Sequence, residues 1–316
     1  SMEMIRKELI DNYTRFGTTN YLIVDDTFND SVEKCREFAE MVKSLPFKIS
    51  WWAYIRLDLL AAHPETIDYL IDSGLKSALC GIETLNTKTG SIIGKGGSRE
   101  KLFDTVRTIK EKSKDAISVH GNFIFGLPHE SMDSMKSTAE YLLSDDNPLD
   151  TWRAYALNIK PTDRSYAHDF LSDLDVNYEK YGYSNIGHKP SPGTLYSPGD
   201  RHEAGQMIWK NEHTTRNEIE IFATEVDNQR KQKDSKVAGR QSFYIASLGI
   251  DLHQVLNIKE SEVEWYELDK LKLSRSQEYK TKLHQQLGVS YTELDIPEEI
   301  KTYSELLKSK KLVDNR

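Results

Sequence analysis

"YLIVDDTFND", residues 21–30, sets the reading of the chain. Tyr21-Leu22-Ile23-Val24 has the character of a buried strand, and it runs straight into Asp25 and Asp26. A helical pattern then starts near Ser31, with Asn29 or Asp30 as candidate caps. Two carboxylates thus stand at the C-terminal end of a strand. The absence of glycine in this turn argues against a doubly wound dinucleotide fold, which needs G-x-G-x-x-G there so that backbone can approach a pyrophosphate.

The same unit recurs on both sides of this stretch. A helix is expected over 4–15, a strand over 20–25 and a helix over 31–43. "KISWWAYIR" is the next strand, followed by a helix that begins after Pro64 and ends at Gly74. "KSALCGIE", "ISVHGNFIFG" and "TWRAYALNIK" continue the series, separated by helical material broken at "GKGG", a helix over 98–113 and the helical "ESMDSMKSTAEYLLS". Strand and helix alternating five times imply right-handed βαβ units and a parallel sheet. The fold expected is α/β: a partial parallel (βα) barrel of TIM-like type over residues 1–165, followed by a largely helical region over 166–316. The glycines and prolines of 182–202 predict a long loop, with helices at 200–232, 262–287 and 297–311.

Composition narrows the function classes. The chain of 316 residues, 38% hydrophobic and 29% charged, supports a sizeable core, and its net charge of −8 argues against a general nucleic-acid surface. No apolar run reaches the roughly 18 residues of a membrane helix and no leader resembles a signal peptide, so a cytoplasmic protein with no membrane partner is expected. Cys35 and Cys80 are too few for a disulfide framework or an all-cysteine zinc site. "GSIIGKGG" lacks the spacing of a phosphate loop, and "HESMD" and "HEAGQ" lack the second histidine of a zinc helix. Trp51, Trp52 and Tyr54 are expected in the core.

In a parallel barrel, chemistry collects where the C-terminal strand ends converge. Those ends carry Asp25 and Asp26, Arg56 and Asp58, Glu83, Gly126-Leu127-Pro128, and Asn158 with Lys160. Each has a plain structural alternative: a helix cap for the aspartates, a local ion pair for Arg56 and Asp58, an ordinary turn for the Gly-Leu-Pro.

"NYLIVDDTFND", "WWAYIRLDLL", "YLIDSGLKSALCGIETLNTKTGSIIGKG", "VHGNFIFGLPHES" and "ALNIKPTDRSY", in that order, resemble the barrel of radical S-adenosylmethionine enzymes. The resemblance is to the group that often carries a cobalamin-binding domain in front, and it covers about residues 3–165. It implies a [4Fe–4S] cluster held by C-x3-C-x2-C and an S-adenosylmethionine bound to it. No such motif is present, and neither Cys35 nor Cys80 replaces it. The resemblance therefore implies that the visible chain starts before the family's second strand, that the cluster segment lies upstream, and that this chain alone binds no cluster and performs no radical chemistry. Whether cobalamin takes part stays open.

Carried over residue by residue, the resemblance makes Asp25 and Asp26 acceptors for the cofactor's amino group and Glu83 a partner of its ribose or amino-acid end. Arg56 would receive the cofactor carboxylate or an acidic substrate. Gly126, Leu127 and Asn158 would lie near adenine. His129 stands where the family usually has glycine, and "KPTDRSY" lacks a glycine usual in that turn. Two other readings stand beside this one: a metal-dependent barrel hydrolase or lyase using Asp25, Asp26, Glu83 and His120, and a cluster-free binding module. No catalytic residue, substrate or oligomeric state is assigned.

Overall fold

A computed structural model of the chain describes residues 1–159, 170–189, 206–233, 236, 255 and 258–286. Five parallel strands form one sheet in the order β1 (Asn20–Leu22), β2 (Ser50–Tyr54), β3 (Leu75–Glu83), β4 (Ser118–Phe125) and β5 (Thr151–Ala156). Sequence neighbours are neighbours in space, so every connection steps one strand in the same direction, as in a segment of a TIM-like barrel. Among the described residues the ring does not close: β1 pairs only with β2 and β5 only with β4. All five C-terminal ends share one edge.

The connecting helices are α1 (Met2–Phe16), α2 (Val32–Lys43), α3 (Leu57–Ala62), α4 (Thr66–Asp72), α5 (Thr87–Ile92), α6 (Arg99–Ser113) and α7 (Met132–Leu142). The cap of α2 is Ser31, whose hydroxyl accepts from the Lys34 N–H, and not Asn29 or Asp30. Asn29 instead serves the sheet. It is buried, donates to the Arg56 carbonyl at 2.9 Å and accepts from the Arg56 N–H at 2.8 Å, so its amide copies a strand partner for the end of β2. β1 is shorter than the 20–25 expected, although the Ile23 and Phe28 N–H groups still bond to β2 carbonyls.

The strand register separates two faces. Trp51, Ala53, Ala78, Cys80, Val119, Phe123 and Trp152 lie on the face covered by helices, all buried. Phe28, Phe38 and Trp51 pack ring against ring there, and Trp51 Nε1 donates to the Ser73 carbonyl. The opposite face is less covered: Tyr54 and Tyr155 are partly exposed.

Gly74 ends α4 with φ of +88° and passes so close to the preceding strand that a Cβ would sit 2.2 Å from the Ile49 carbonyl oxygen. Backbone cannot swing away as a side chain can. Gly74→Ala is therefore expected to cost about 2–3 kcal/mol from the left-handed penalty and overpacking together, read as a lowered urea midpoint with unchanged slope.

Beyond the sheet lie α8 (Phe170–Val176), a short 3-10 turn, the antiparallel pair β6 (Ser184–Lys189) and β7 (Gln206–Lys210), α9 (Arg216–Gln232) and α10 (Trp265–Gln286). The loop expected over 182–202 thus contains a strand, and the helix expected from 200 begins only at 216, after a second strand. The helix expected at 297–311 lies outside the described residues. The core does not stop at the boundary expected near 165: Tyr183, Met207, Trp209 and Ile219 belong to the same buried cluster as Phe125 and Leu127. Trp209 Nε1 donates to the Leu157 carbonyl, Tyr183 Oη to the Gly126 carbonyl, and Phe222 of α9 meets Phe125. No described helix is long and apolar enough to cross a membrane.

Candidate functional site

The shared strand edge carries the polar residues read from the sequence, except Lys160, which lies outside the described residues, and the side chains divide them into groups. Asp25 is held locally: one oxygen accepts the Thr27 N–H at 3.1 Å and the other pairs with Lys34 at 3.0 Å. Asp26, beside it, is exposed. Lys34 also reaches Asp30, so this corner is a small surface network.

Arg56 is paired within the chain. Its guanidinium grips Asp58 with two bonds, at 3.1 and 2.6 Å, and donates to the Gly94 carbonyl. Asp58 in turn accepts the Gly96 N–H at 3.1 Å. Burial alone would raise the Asp58 pKa; the Arg56 and Gly96 hydrogen bonds outweigh it and hold the carboxyl below its ordinary value. The pair fastens the "GKGG" loop over the strand ends. Its effect is to place Lys95, which lies between these two anchored glycines.

Lys95 Nζ stands 3.9 Å from Glu83 Oε1. Glu83 ends β3 in an unusual conformation: φ is +67°, and the Thr84 N–H bonds to the Ile82 carbonyl at 2.9 Å across it, the signature of a tight γ-turn. A side-chain-bearing residue is strained there. The turn follows an irregularity in the β3–β4 register between Gly81 and Glu83. The carboxyl folds back over Gly81, where a Cβ would meet Glu83 Oε1 at 2.4 Å. Burial raises the Glu83 pKa, opposed by Lys95.

The turn is held from behind by Glu130. This carboxylate is 2% exposed, accepts the Thr84 hydroxyl at 2.5 Å and the Leu127 N–H at 3.3 Å, and is pushed up to about 7 by burial. Glu130 is not among the residues singled out from the sequence; its signal there is the acid three residues after Leu127 in "GLPHE", an acceptor placed to close its own turn.

Gly126, with φ of +86°, and Leu127 are buried. A Cβ on Gly126 would lie 2.7 Å from the Trp209 ring, so indole takes the space beside it. Asn158 lines a groove of about 560 Å³ between β5 and α9, with Arg216 and Glu220. Its Oδ1 is buried with no hydrogen-bond donor among the described residues. His120 is buried and bound through both nitrogens, to Thr151 Oγ1 at 2.6 Å and Asn122 Oδ1 at 3.1 Å, and burial lowers its pKa to about 4. It does not join Asp25, Asp26 and Glu83 as a ligand: among the described residues no three His, Cys, Asp or Glu side chains gather around a metal position.

Both cysteines are buried, Cys35 on α2 and Cys80 on β3, and burial pushes their thiols up to about 11 and about 12. An iron–sulfur cluster needs several accessible thiolates. These two side chains do not fit one.

Residues 1–142 match the family model of the radical SAM superfamily. The chain is 25% identical over 183 residues to an uncharacterized methyltransferase of Pyrococcus horikoshii, covering 57% of this chain and 38% of that protein. It thus spans well under half the length of the curated relative it matches. Similar solved structures include the radical S-adenosylmethionine methyltransferase TsrM from Kitasatospora setae, with TM-score 0.47, 13% identity and coverage of 67% of this chain and 43% of that one. The cobalamin-dependent S-adenosylmethionine radical enzyme OxsB gives TM-score 0.48 and 13% identity over 99% of this chain and 49% of that one. Residues 1–142, which carry β1 to β4 and the Glu83–Lys95 pair, are thus the part of the chain that is similar to the radical SAM superfamily.

Proposed function

We propose that this chain is the S-adenosylmethionine-facing core of a radical SAM enzyme and that Glu83 and Lys95 receive the amino-acid end of the cofactor. The observation that carries the reading is the pairing of a desolvated carboxylate on a strained turn with a nearby ammonium. An α-amino acid presents the opposite charges in the same arrangement, an ammonium for Glu83 and a carboxylate for Lys95, and charge-assisted bonds of this kind are the strong ones. At 3.9 Å the two side chains are attracted but make no short bond, so a ligand that pairs with each of them displaces no close contact.

Asp25, Asp26, Gly126, Leu127 and Asn158 take lesser parts in this reading. Asp26 is available at the rim, whereas Arg56 acts through Lys95 by tying down its loop. When the family's cofactors are bound they supply an adenosyl radical. The thiolates that would hold the cluster come, in this reading, from polypeptide other than these 316 residues, and cobalamin belongs to the same larger assembly. The description of the Pyrococcus relative makes methyl transfer the first reaction to test.

The test is calorimetric or NMR titration of the full chain with S-adenosylmethionine and S-adenosylhomocysteine. Saturable binding is expected, weakened about tenfold or more in Lys95→Met and in Glu83→Gln, because each removes one charged hydrogen bond worth roughly 1.5–3 kcal/mol. Binding equal to wild type in both variants overturns the assignment.

A further inference from the structure

We infer that Glu130 is the positioning residue for Glu83, acting through Thr84 to hold the strained turn in place. A left-handed glutamate inside a γ-turn persists only where the surroundings over-determine it. The Ile82–Thr84 bond closes the turn but cannot orient it, since both of its ends move with the turn.

Thr84 is tied to the end of the neighbouring strand by the Glu130 side chain. Thr84 Oγ1 donates to Glu130 Oε1 and at the same time accepts the Asn86 N–H at 3.0 Å, so the hydroxyl is fixed from two directions. Glu130 Oε2 accepts the Leu127 N–H, anchoring the carboxylate to the turn after β4. Residue 130 lies 46 positions from Thr84 in sequence, yet it links the ends of adjacent strands, β3 and β4. A carboxylate is suited to this because its two oxygens serve two donors at once, where an amide has one acceptor. The burial of Glu130, beside Tyr183, whose hydroxyl reaches the neighbouring Gly126 carbonyl, excludes water that would otherwise replace either bond.

The purpose given to Glu83 rests on the reading above, but the clamp itself is tested without a ligand. Amide hydrogen exchange is measured on the full chain as wild type, Glu130→Ala, Glu130→Gln and Thr84→Val. Loss of one buried hydrogen bond of about 1–1.5 kcal/mol corresponds to local opening roughly tenfold more frequent. Glu130→Ala and Thr84→Val are each expected to speed exchange about tenfold or more at residues 83–86 and to leave β1 and β2 unchanged. Glu130→Gln, which keeps one of the two acceptors, is expected to give exchange there between that of wild type and that of Glu130→Ala.

Thr84→Val removes only the hydroxyl and keeps the shape, so it serves if Glu130→Ala does not fold. Wild-type exchange at residues 83–86 in Thr84→Val overturns the inference, as does acceleration spread evenly over the sheet in Glu130→Ala. Failure of the wild-type chain to bind S-adenosylmethionine would remove the proposed ligand and leave these exchange rates to decide the clamp separately.

Discussion

Replacing Trp209 with alanine is expected to cost about 3–5 kcal/mol of folding stability, the range for truncating a large buried aromatic side chain. The indole is fully buried, donates from Nε1 to the Leu157 carbonyl at 3.0 Å and meets Tyr183 edge to face with centroids 5.1 Å apart. It also fills the space that the missing side chain of Gly126 leaves open. Alanine would empty that space and leave the Leu157 carbonyl without its donor. Trp209→Phe keeps most of the packing and loses the bond, so a smaller cost of about 1–2 kcal/mol is expected. Urea unfolding reads both. A loss under about 1 kcal/mol in the alanine variant would mean that β7 is not part of the sheet's core.

The second large effect is on pH dependence, where two buried groups oppose each other. Glu130 holds its proton more tightly in the folded chain, titrating at about 7 against an ordinary 4.5. Its stabilising contribution is complete below about pH 4.5, declines as pH rises, and is lost above about 7. His120 is shifted the other way, to about 4 from 6.5. Its contribution is complete above about pH 6.5 and is lost as pH falls toward 4. Each shift corresponds to about 3 kcal/mol at its limit. Over pH 4.5–6.5 the two slopes nearly cancel, so wild-type stability should change little on their account.

Single variants expose each slope. Glu130→Gln leaves the histidine alone, and stability should then rise by about 3 kcal/mol from pH 4 to 6.5. His120→Gln leaves the carboxyl alone, and stability should fall by a similar amount from pH 4.5 to 7. Urea midpoints taken across this range decide the matter. Profiles parallel to wild type in both variants would show that neither group carries the linkage.

How far the site can be read from the chain differs residue by residue. Glu83 is legible because it follows "ALCGI": a strand's last residue in a parallel sheet points to the edge where loops meet. Arg56 is legible as a polar strand end, but its grip on Asp58 competes with any ligand, and only a structure shows which partner is within reach. Lys95 sits in a stretch without phosphate-loop spacing; it becomes part of the site because Arg56 and Asp58 pin the glycines beside it. Glu130 shows along the chain only as an acceptor for its own turn; its burial and its bond to Thr84, 46 residues away, are not written there.

The same division holds for the fold. By itself the sequence determined the alternation of strands and helices, the parallel sheet and the common edge for its strand ends, because hydrophobic period and turn residues act over a few positions. Tertiary structure alone decided that Trp209 and Tyr183 close over Gly126 and that Asn158 turns toward α9. It alone also strained the turn at Glu83 and charged the space around it. Packing, burial and the electrostatics of desolvated groups depend on neighbours that local patterns along a chain do not name.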